Sequence, residues 1–207
     1  MSRTNRMDLG DYRKRFRDAL RARYGETFDE GFNDIRARYM EVKTGKRDLD
    51  VNDVMAIFET KLPYYHDWTK PDSEDLARRM EKEKLASQIR SLSGTGYKLE
   101  LIRGIWRCLR ELSLTALVLH HVYPERFAMC SHHLASLLYI SAPKVPEFYI
   151  KYCEELTAWS EGEWPRRSNP VVERERLRSH LTVVDVEFAL WTWYRLAYID
   201  GTDREQR

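Results

Sequence analysis

The sequence predicts an all-α protein, with about eight to ten helices in one compact orthogonal array and no β-sheet. Apolar residues recur every three or four positions along most of the chain, which is the spacing that gives an α-helix one buried face. Residues that favour helix ends stand where these apolar stripes begin and stop, as in the capping box of Thr27 and Glu30 and at Gly25. No segment bounded by turn residues alternates strictly between apolar and polar positions, so strands are not expected.

The first half of the chain predicts four helices. Each has an apolar stripe of its own, and a glycine or a proline follows each stripe. Their expected ranges are 12–24, 27–42, 51–58 and 73–92. We expect residues 1–207 to form a single domain, built either as one unit or as two lobes, in which residues 1–25 provide a basic N-terminal helix.

The second half continues the same pattern without repeating the sequence. Serine, threonine and proline residues stand at the expected helix starts. The expected ranges are 99–109, 113–122, 131 or 132 to 138, 145–159, 171–178 and 182–197. In the last of these helices Leu190 and Trp193 lie on the apolar face, so we expect both to be buried near the centre of the protein.

The composition excludes several classes of protein. Hydrophobic residues make up 43% of the chain and charged residues 33%, a balance that excludes disordered and low-complexity chains. No apolar run reaches the roughly 18 residues of a membrane span, and residues 1–10 lack the apolar segment of a signal peptide. The cysteines Cys108, Cys130 and Cys153 are odd in number and widely spaced, so no disulfide framework is expected. We therefore expect a cytoplasmic protein with no membrane association and no cofactor.

Positive charge is concentrated near the N-terminus. Residues 1–25 contain eight Arg and Lys against three Asp, whereas the whole chain has a formal net charge of +2. Basic side chains share one face of the first predicted helix, opposite its apolar stripe, where they can contact phosphates. The alternative is a solvated face on which Asp11 and Asp18 pair locally with these cations. The residues predicted to bind DNA or RNA are Arg13, Lys14, Arg17, Arg21, Arg103 and Arg107.

Residues 109–138, LRELSLTALVLHHVYPERFAMCSHHLASLL, contain two helical stretches joined by a loop with proline and aromatic residues. This segment resembles part of the helix-hairpin-helix superfamily of base-excision DNA glycosylases. In that superfamily an L-P-G-V-G-x-K-T-A hairpin opens a helix, and a D-T-H-V element starts the next one. Leu112, Thr115 and Ala116 occupy the positions of the leucine and of T-A, and residues 130–134 resemble the second element.

The same segment departs from that superfamily at the positions that carry its chemistry. The hairpin glycines, which let backbone N–H groups approach a DNA phosphate, are missing. The catalytic Lys has no counterpart before Thr115, and Ser131 stands at the position of the catalytic Asp. The resemblance therefore implies a diverged, nucleic-acid-associated protein without the standard glycosylase chemistry. Ser131 and His133 are the remaining catalytic candidates, and the sequence leaves open whether the protein is an enzyme.

A cluster of histidine and cysteine side chains lies in the same segment. Both residue types bind zinc and other transition metals, so a metal-dependent enzyme with His121, Cys130 and His133 as ligands is one alternative. The paired C-x2-C and H-x3-H spacings of zinc sites are missing, however, so we expect no bound metal. If Cys130 begins a helix, the helix N-terminus would lower the pKa of its thiol.

Aromatic residues indicate a different class of function. Tyr64, Tyr65 and Trp68 lie close together between two predicted helices, and Trp164 lies in a loop rich in Trp, Pro and Arg. Tyr and Trp dominate the hot spots of protein–protein interfaces. The alternative to nucleic-acid binding is therefore a helical subunit or adaptor of a multiprotein complex, which binds its partner through these residues.

Overall fold

The computed structural model describes residues 39–59, 70–94, 96–142, 144–160 and 183–194. Within these ranges the chain is helical and has no β-strand, which confirms the predicted all-α class. Residues 39–43 are helical, and eight numbered helices follow: α1 (Val51–Glu59), α2 (Ser73–Lys82), α3 (Leu85–Arg90), α4 (Leu99–Leu109), α5 (Leu112–Val122), α6 (His132–Leu137), α7 (Val145–Ser160) and α8 (Val183–Tyr194). No helix in the described ranges is both long enough and apolar enough to cross a membrane.

Helix α5 lies at the centre of the described core. Its sequence is almost continuously apolar, and every side chain over residues 114–122 is buried. It packs against α1, α4 and α7. The buried hydroxyl of Thr115 donates a hydrogen bond to the carbonyl oxygen of Glu111, four residues earlier, at 2.8 Å. The helix ends at Tyr123, which leaves the helical conformation because the next residue is Pro124.

The single helix predicted over residues 73–92 is wrong, because α2 and α3 divide that range. The break lies at Lys84, which adopts a left-handed conformation with φ = 51°. Met80 and Leu85 are five residues apart, so a continuous helix would point them about 140° away from each other. Both are buried. The turn before α3 therefore brings both side chains to the core.

Aspartate side chains fix the starts of two helices. The N-cap of α2 is Asp72, whose Oδ1 accepts a hydrogen bond from the Asp75 N–H at 2.8 Å. At α1 the pairing is reciprocal: Asp50 Oδ1 accepts from the Asp53 N–H at 2.8 Å, and Asp53 Oδ2 accepts from the Asp50 N–H at 3.1 Å. The buried Asp53 carboxylate also pairs with Arg47 at 2.5 Å. These contacts satisfy backbone N–H groups that a helix leaves free at its start.

Most of the other predicted helices agree with the described ones. The helices predicted over 99–109, 113–122 and 145–159 agree with α4, α5 and α7 to within one residue at each end. Leu190 is buried in α8 as predicted, whereas the side chain of Trp193 lies outside what the structure describes. Also outside the described residues lie the helices predicted over 12–24 and 171–178, the start of the one predicted over 27–42, and the basic segment 1–25.

Candidate nucleic-acid interface

Helix α4 presents a basic and aromatic outer face. Its sequence places Arg103, Trp106 and Arg107 at positions i, i+3 and i+4, which are neighbours on a helix surface. Arg103 and Trp106 are half-buried, and Arg107 is exposed. The face turned to the core consists of Ile102, Ile105, Cys108 and Leu109, all of them buried. Packing of this apolar face against α5 and α7 fixes the direction in which the basic residues point.

The start of α7 and this outer face line a cavity of about 490 Å³ that is open to solvent. Helix α7 begins at Val145, with Pro146 in its first turn, where a missing backbone N–H has no cost. Lys144 precedes the helix and is exposed, and Glu147 is half-buried in the first turn. The cavity thereby brings together three cationic side chains, one carboxylate and one indole ring.

Charge in this cavity is compensated unevenly. The guanidinium of Arg103 donates to Glu100 Oε1 at 2.5 Å and to Glu147 Oε1 at 2.9 Å, so its charge is balanced. The second oxygen of Glu147, Oε2, is buried and has no hydrogen-bond partner among the described residues. Neither Arg107 nor Lys144 forms an ion pair with a side chain in the described ranges. Among the described residues, the cavity therefore has two cations without an ion-pair partner and one fixed carboxylate.

The structure brings two of the predicted nucleic-acid-binding residues, Arg103 and Arg107, into this cavity. The sequence does not predict Lys144 or Glu147 as their neighbours, because these residues come from another helix. The sequence could have indicated Trp106, because it lies between the two arginines on the same side of α4. The other predicted binding residues lie outside the described residues: Arg13, Lys14, Arg17 and Arg21 for nucleic acid, and Tyr64, Tyr65, Trp68 and Trp164 for a protein partner.

Ser131, a catalytic candidate, is the N-cap of α6. Its hydroxyl oxygen accepts a hydrogen bond from the Leu134 N–H at 3.4 Å. Its own backbone N–H donates to Glu187 Oε1 at 3.3 Å. The side chain of the other catalytic candidate, His133, lies outside the described part of the chain. Ser131 thus joins the start of α6 to a carboxylate that α8 contributes.

Glu187 is a fully buried carboxylate that the sequence analysis above does not single out. Its Oε2 accepts a hydrogen bond from the Met129 N–H at 2.6 Å, and its Oε1 accepts from the Tyr152 hydroxyl at 2.8 Å. Burial raises the pKa of Glu187 to about 7, although the hydrogen bonds from Met129, Tyr152 and Ser131 lower it. The signal for this residue was a charged side chain within the apolar stripe of α8.

The lowered thiol pKa predicted for Cys130 is wrong. Cys130 is buried in a left-handed conformation with φ = 67°, just before the N-cap of α6. Burial raises the pKa of its thiol well above the ordinary value, and the neighbouring Cys153 and Glu187 raise it further. Burial also raises the pKa of Cys108 to about 11 and that of Cys153 to about 12. These three thiols are therefore protonated at neutral pH and poor nucleophiles.

The predicted metal ligands have other surroundings where the structure describes them. Nδ1 of His121 lies 2.8 Å from the Leu117 carbonyl oxygen, and its ring packs edge-on against Tyr39 with centroids 5.6 Å apart. Cys130 is buried beside Glu187, and the side chain of His133 is outside the described part. Over the described ranges, no three His, Cys, Asp or Glu side chains form a group that could hold a metal ion.

Comparison of this chain with protein-family models, with curated proteins and with solved structures finds no match. The resemblance of residues 109–138 to the helix-hairpin-helix glycosylases therefore stays a prediction.

Proposed function

We propose that the protein binds nucleic acid and that the cavity between α4 and α7 contacts the phosphate backbone. The observation that carries this proposal is the presence of Arg107 and Lys144 on one concave surface beside the indole of Trp106. Arg and Lys side chains neutralise phosphates, and aromatic side chains among them are typical of surfaces that bind nucleic acid.

The ion pairs of the cavity support a division of roles among its cations. Arg107 and Lys144 have no ion-pair partner among the described side chains, so their charges are open to an external anion. Arg103 is balanced by Glu100 and Glu147, so it serves to hold the Glu147 carboxylate in place. The basic side chains predicted within residues 1–25 would add further phosphate contacts.

We propose binding without base excision. A residue that acts on a base must come within hydrogen-bond reach of it. Ser131, which stands where the resembled superfamily has its catalytic Asp, caps α6. The nearest described carboxylate, that of Glu187, is buried against Met129 and Ser131 N–H groups and has no open path to a ligand.

The salt dependence of binding tests the proposal. The logarithm of the association constant for duplex DNA falls by about 0.9 per neutralised phosphate for each tenfold rise in salt. The double variant Arg107→Ala/Lys144→Ala should therefore make the log–log slope shallower by about two units. Fluorescence anisotropy with a labelled duplex, between about 50 and 200 mM salt, measures this slope.

A matched control separates a local contact from an effect of net charge. Arg110→Ala/Lys151→Ala removes the same charge from the same two helix regions, at exposed positions outside the cavity. This control should leave the slope unchanged. Equal changes in the two double variants would contradict the cavity as the contact site. The absence of binding even at low salt would contradict nucleic-acid binding and favour the adaptor.

A further inference from the structure

Tyr139, which lies just after α6, has the most exposed large apolar side chain in the described ranges. Its relative exposure is 94%, whereas that of the next, Met40, is 50%. Because almost none of the Tyr139 side chain is covered, both faces of its ring are open to solvent. Burial of an aromatic ring is what stabilises it in a folded chain, so packing does not account for a tyrosine at this position.

The backbone also disfavours a tyrosine at position 139. Tyr139 is in a left-handed conformation with φ = 55°. Its N–H donates to the Ser136 carbonyl oxygen at 3.1 Å, and the Ile140 N–H donates to the Ala135 carbonyl oxygen at 2.9 Å, which together form the Schellman ending of a helix. Glycine is the usual residue at this position, because a side chain crowds a left-handed backbone. A bulky residue in this conformation, with no packing to hold it there, indicates a function for its side chain.

Tyr139 lies near the cations of the cavity between α4 and α7. Lys144 follows it by five residues, which limits the distance between their Cα atoms to about 17 Å. The segment that joins them is anchored to α7, where Lys151 Nζ donates to the Ser141 carbonyl oxygen at 3.3 Å. Lys144 is exposed and lines the cavity with Arg107. A stacked strand advances about 3.4 Å per nucleotide, so about five nucleotides span the distance from Lys144 to Tyr139.

We infer that the ring of Tyr139 stacks on an unpaired base of a single-stranded nucleic acid whose backbone contacts Lys144 and Arg107. This inference rests on the proposed function. Every base has a flat π-face, so the contact tolerates any sequence. In a duplex each base is already stacked between its neighbours, and a contact with the Tyr139 ring would require unstacking. Tyr139 therefore gives the protein a preference for single strands that phosphate contacts alone do not provide.

Tyr139→Gly is the main test, because it removes the ring and supplies the residue that the backbone favours. Binding of the full chain to single-stranded oligo-dT should weaken about tenfold, as the loss of one stacked base typically does. Duplex affinity should stay the same. The urea midpoint of unfolding should be equal or higher, so weaker binding would not be due to a damaged fold. Fluorescence anisotropy with labelled oligo-dT and a labelled duplex at one salt concentration measures both affinities.

Two further variants serve as controls. Tyr139→Phe should retain most of the affinity for oligo-dT, because phenylalanine also stacks. Met40→Ala removes another exposed apolar side chain, at a position outside α6 and the cavity, and should change neither affinity. Oligo-dA in place of oligo-dT should show a similar loss in Tyr139→Gly, since stacking does not read the base edge.

The outcomes separate this inference from the proposed function. Suppose that Tyr139→Gly changes single-strand and duplex affinity equally, or changes neither, while both still depend on Arg107 and Lys144. The stacking role of Tyr139 is then wrong and nucleic-acid binding stands. If the natural chain binds no nucleic acid at low salt, both are wrong. A different oligomeric state of Tyr139→Gly in size-exclusion chromatography would overturn the inference and assign Tyr139 to a contact between copies of the chain.

Discussion

Helix α7 helps to hold two carboxylates, and the molecule compensates them in opposite ways. Glu147, in the first turn of α7, is half-buried and pairs with the guanidinium of Arg103. Glu187 reaches the core from α8, where its donors are backbone N–H groups and the hydroxyl of Tyr152. Glu147 therefore pairs with a positive charge near the surface, whereas Glu187 accepts hydrogen bonds from uncharged donors in the interior.

The difference shows which of the two carboxylates the fold depends on more. A half-exposed ion pair contributes little to stability, so the fold depends little on the charge of Glu147. Burial without a cation raises the pKa of Glu187 to about 7, so its two protonation states are both populated near neutral pH. The Tyr152 hydroxyl suits both states, because it can donate to a carboxylate or accept from a carboxylic acid.

The largest expected effect is the loss of stability on removal of the inner carboxylate. Glu187→Ala leaves the Met129 and Ser131 N–H groups without their acceptor and creates a cavity. We expect the free energy of unfolding to fall by about 3–5 kcal/mol. Urea unfolding followed by circular dichroism measures it. The matched change Glu147→Ala should cost less than about 1 kcal/mol, and equal losses would contradict this difference between the two carboxylates.

The next effect is the pH dependence of stability that Glu187 contributes. Its pKa is about 7 when folded, above the ordinary value of 4.5, so between these values the folded state keeps a proton that the unfolded state releases. Raising the pH across this window therefore favours unfolding. The contribution is fully present below the unfolded pKa and is lost as the pH rises to about 7, a loss of about 3 kcal/mol.

Glu187→Gln isolates this contribution, because its amide does not titrate. As the pH rises from about 4.5 to 7, the natural chain should lose stability relative to this variant. Above about pH 7 the difference between their unfolding free energies should be constant. A difference that stays constant across this range would show that the carboxyl group is ionised throughout. Urea titrations at four or more pH values provide the measurement.

The fold could be predicted from the sequence to the extent that it depends on local spacing. The apolar stripes of α4, α5 and α7 follow the helical period, and their ends carry residues that cap or stop helices. The prediction of a single helix over 73–92 missed the break between α2 and α3, although the five-residue step from Met80 to Leu85 was a signal for it. A continuous helix would point these two side chains to different sides. Both are buried because the chain turns at Lys84.

The candidate site could be predicted only in part, because its contacts are distant in sequence. Arg103 and Arg107 share a helix face, so local spacing found them. Glu147 is 44 residues from Arg103, and no local pattern relates the two. The donors of Glu187 are likewise 35 to 58 residues away from it. For Cys130 the nearby helix N-terminus is visible in the sequence but the burial is not, and burial has the larger effect on the pKa of the thiol.

The smallest expected effect is a difference in how salt acts on the two carboxylates. Glu147→Gln should cost up to about 1 kcal/mol at low ionic strength, because it removes the charge that Arg103 meets at 2.9 Å. This cost should shrink toward zero near 1 M salt, where the screening length is about 3 Å. The cost of Glu187→Gln should not change with salt, because the Glu187 carboxylate is out of solvent and its donors are neutral. Unfolding free energies of the natural chain and both variants, measured in parallel at the two salt concentrations, cancel the general effect of salt on the fold. A cost of Glu147→Gln that persists at high salt would mean that neutral contacts hold this carboxylate too, and the contrast between the two sites would then disappear.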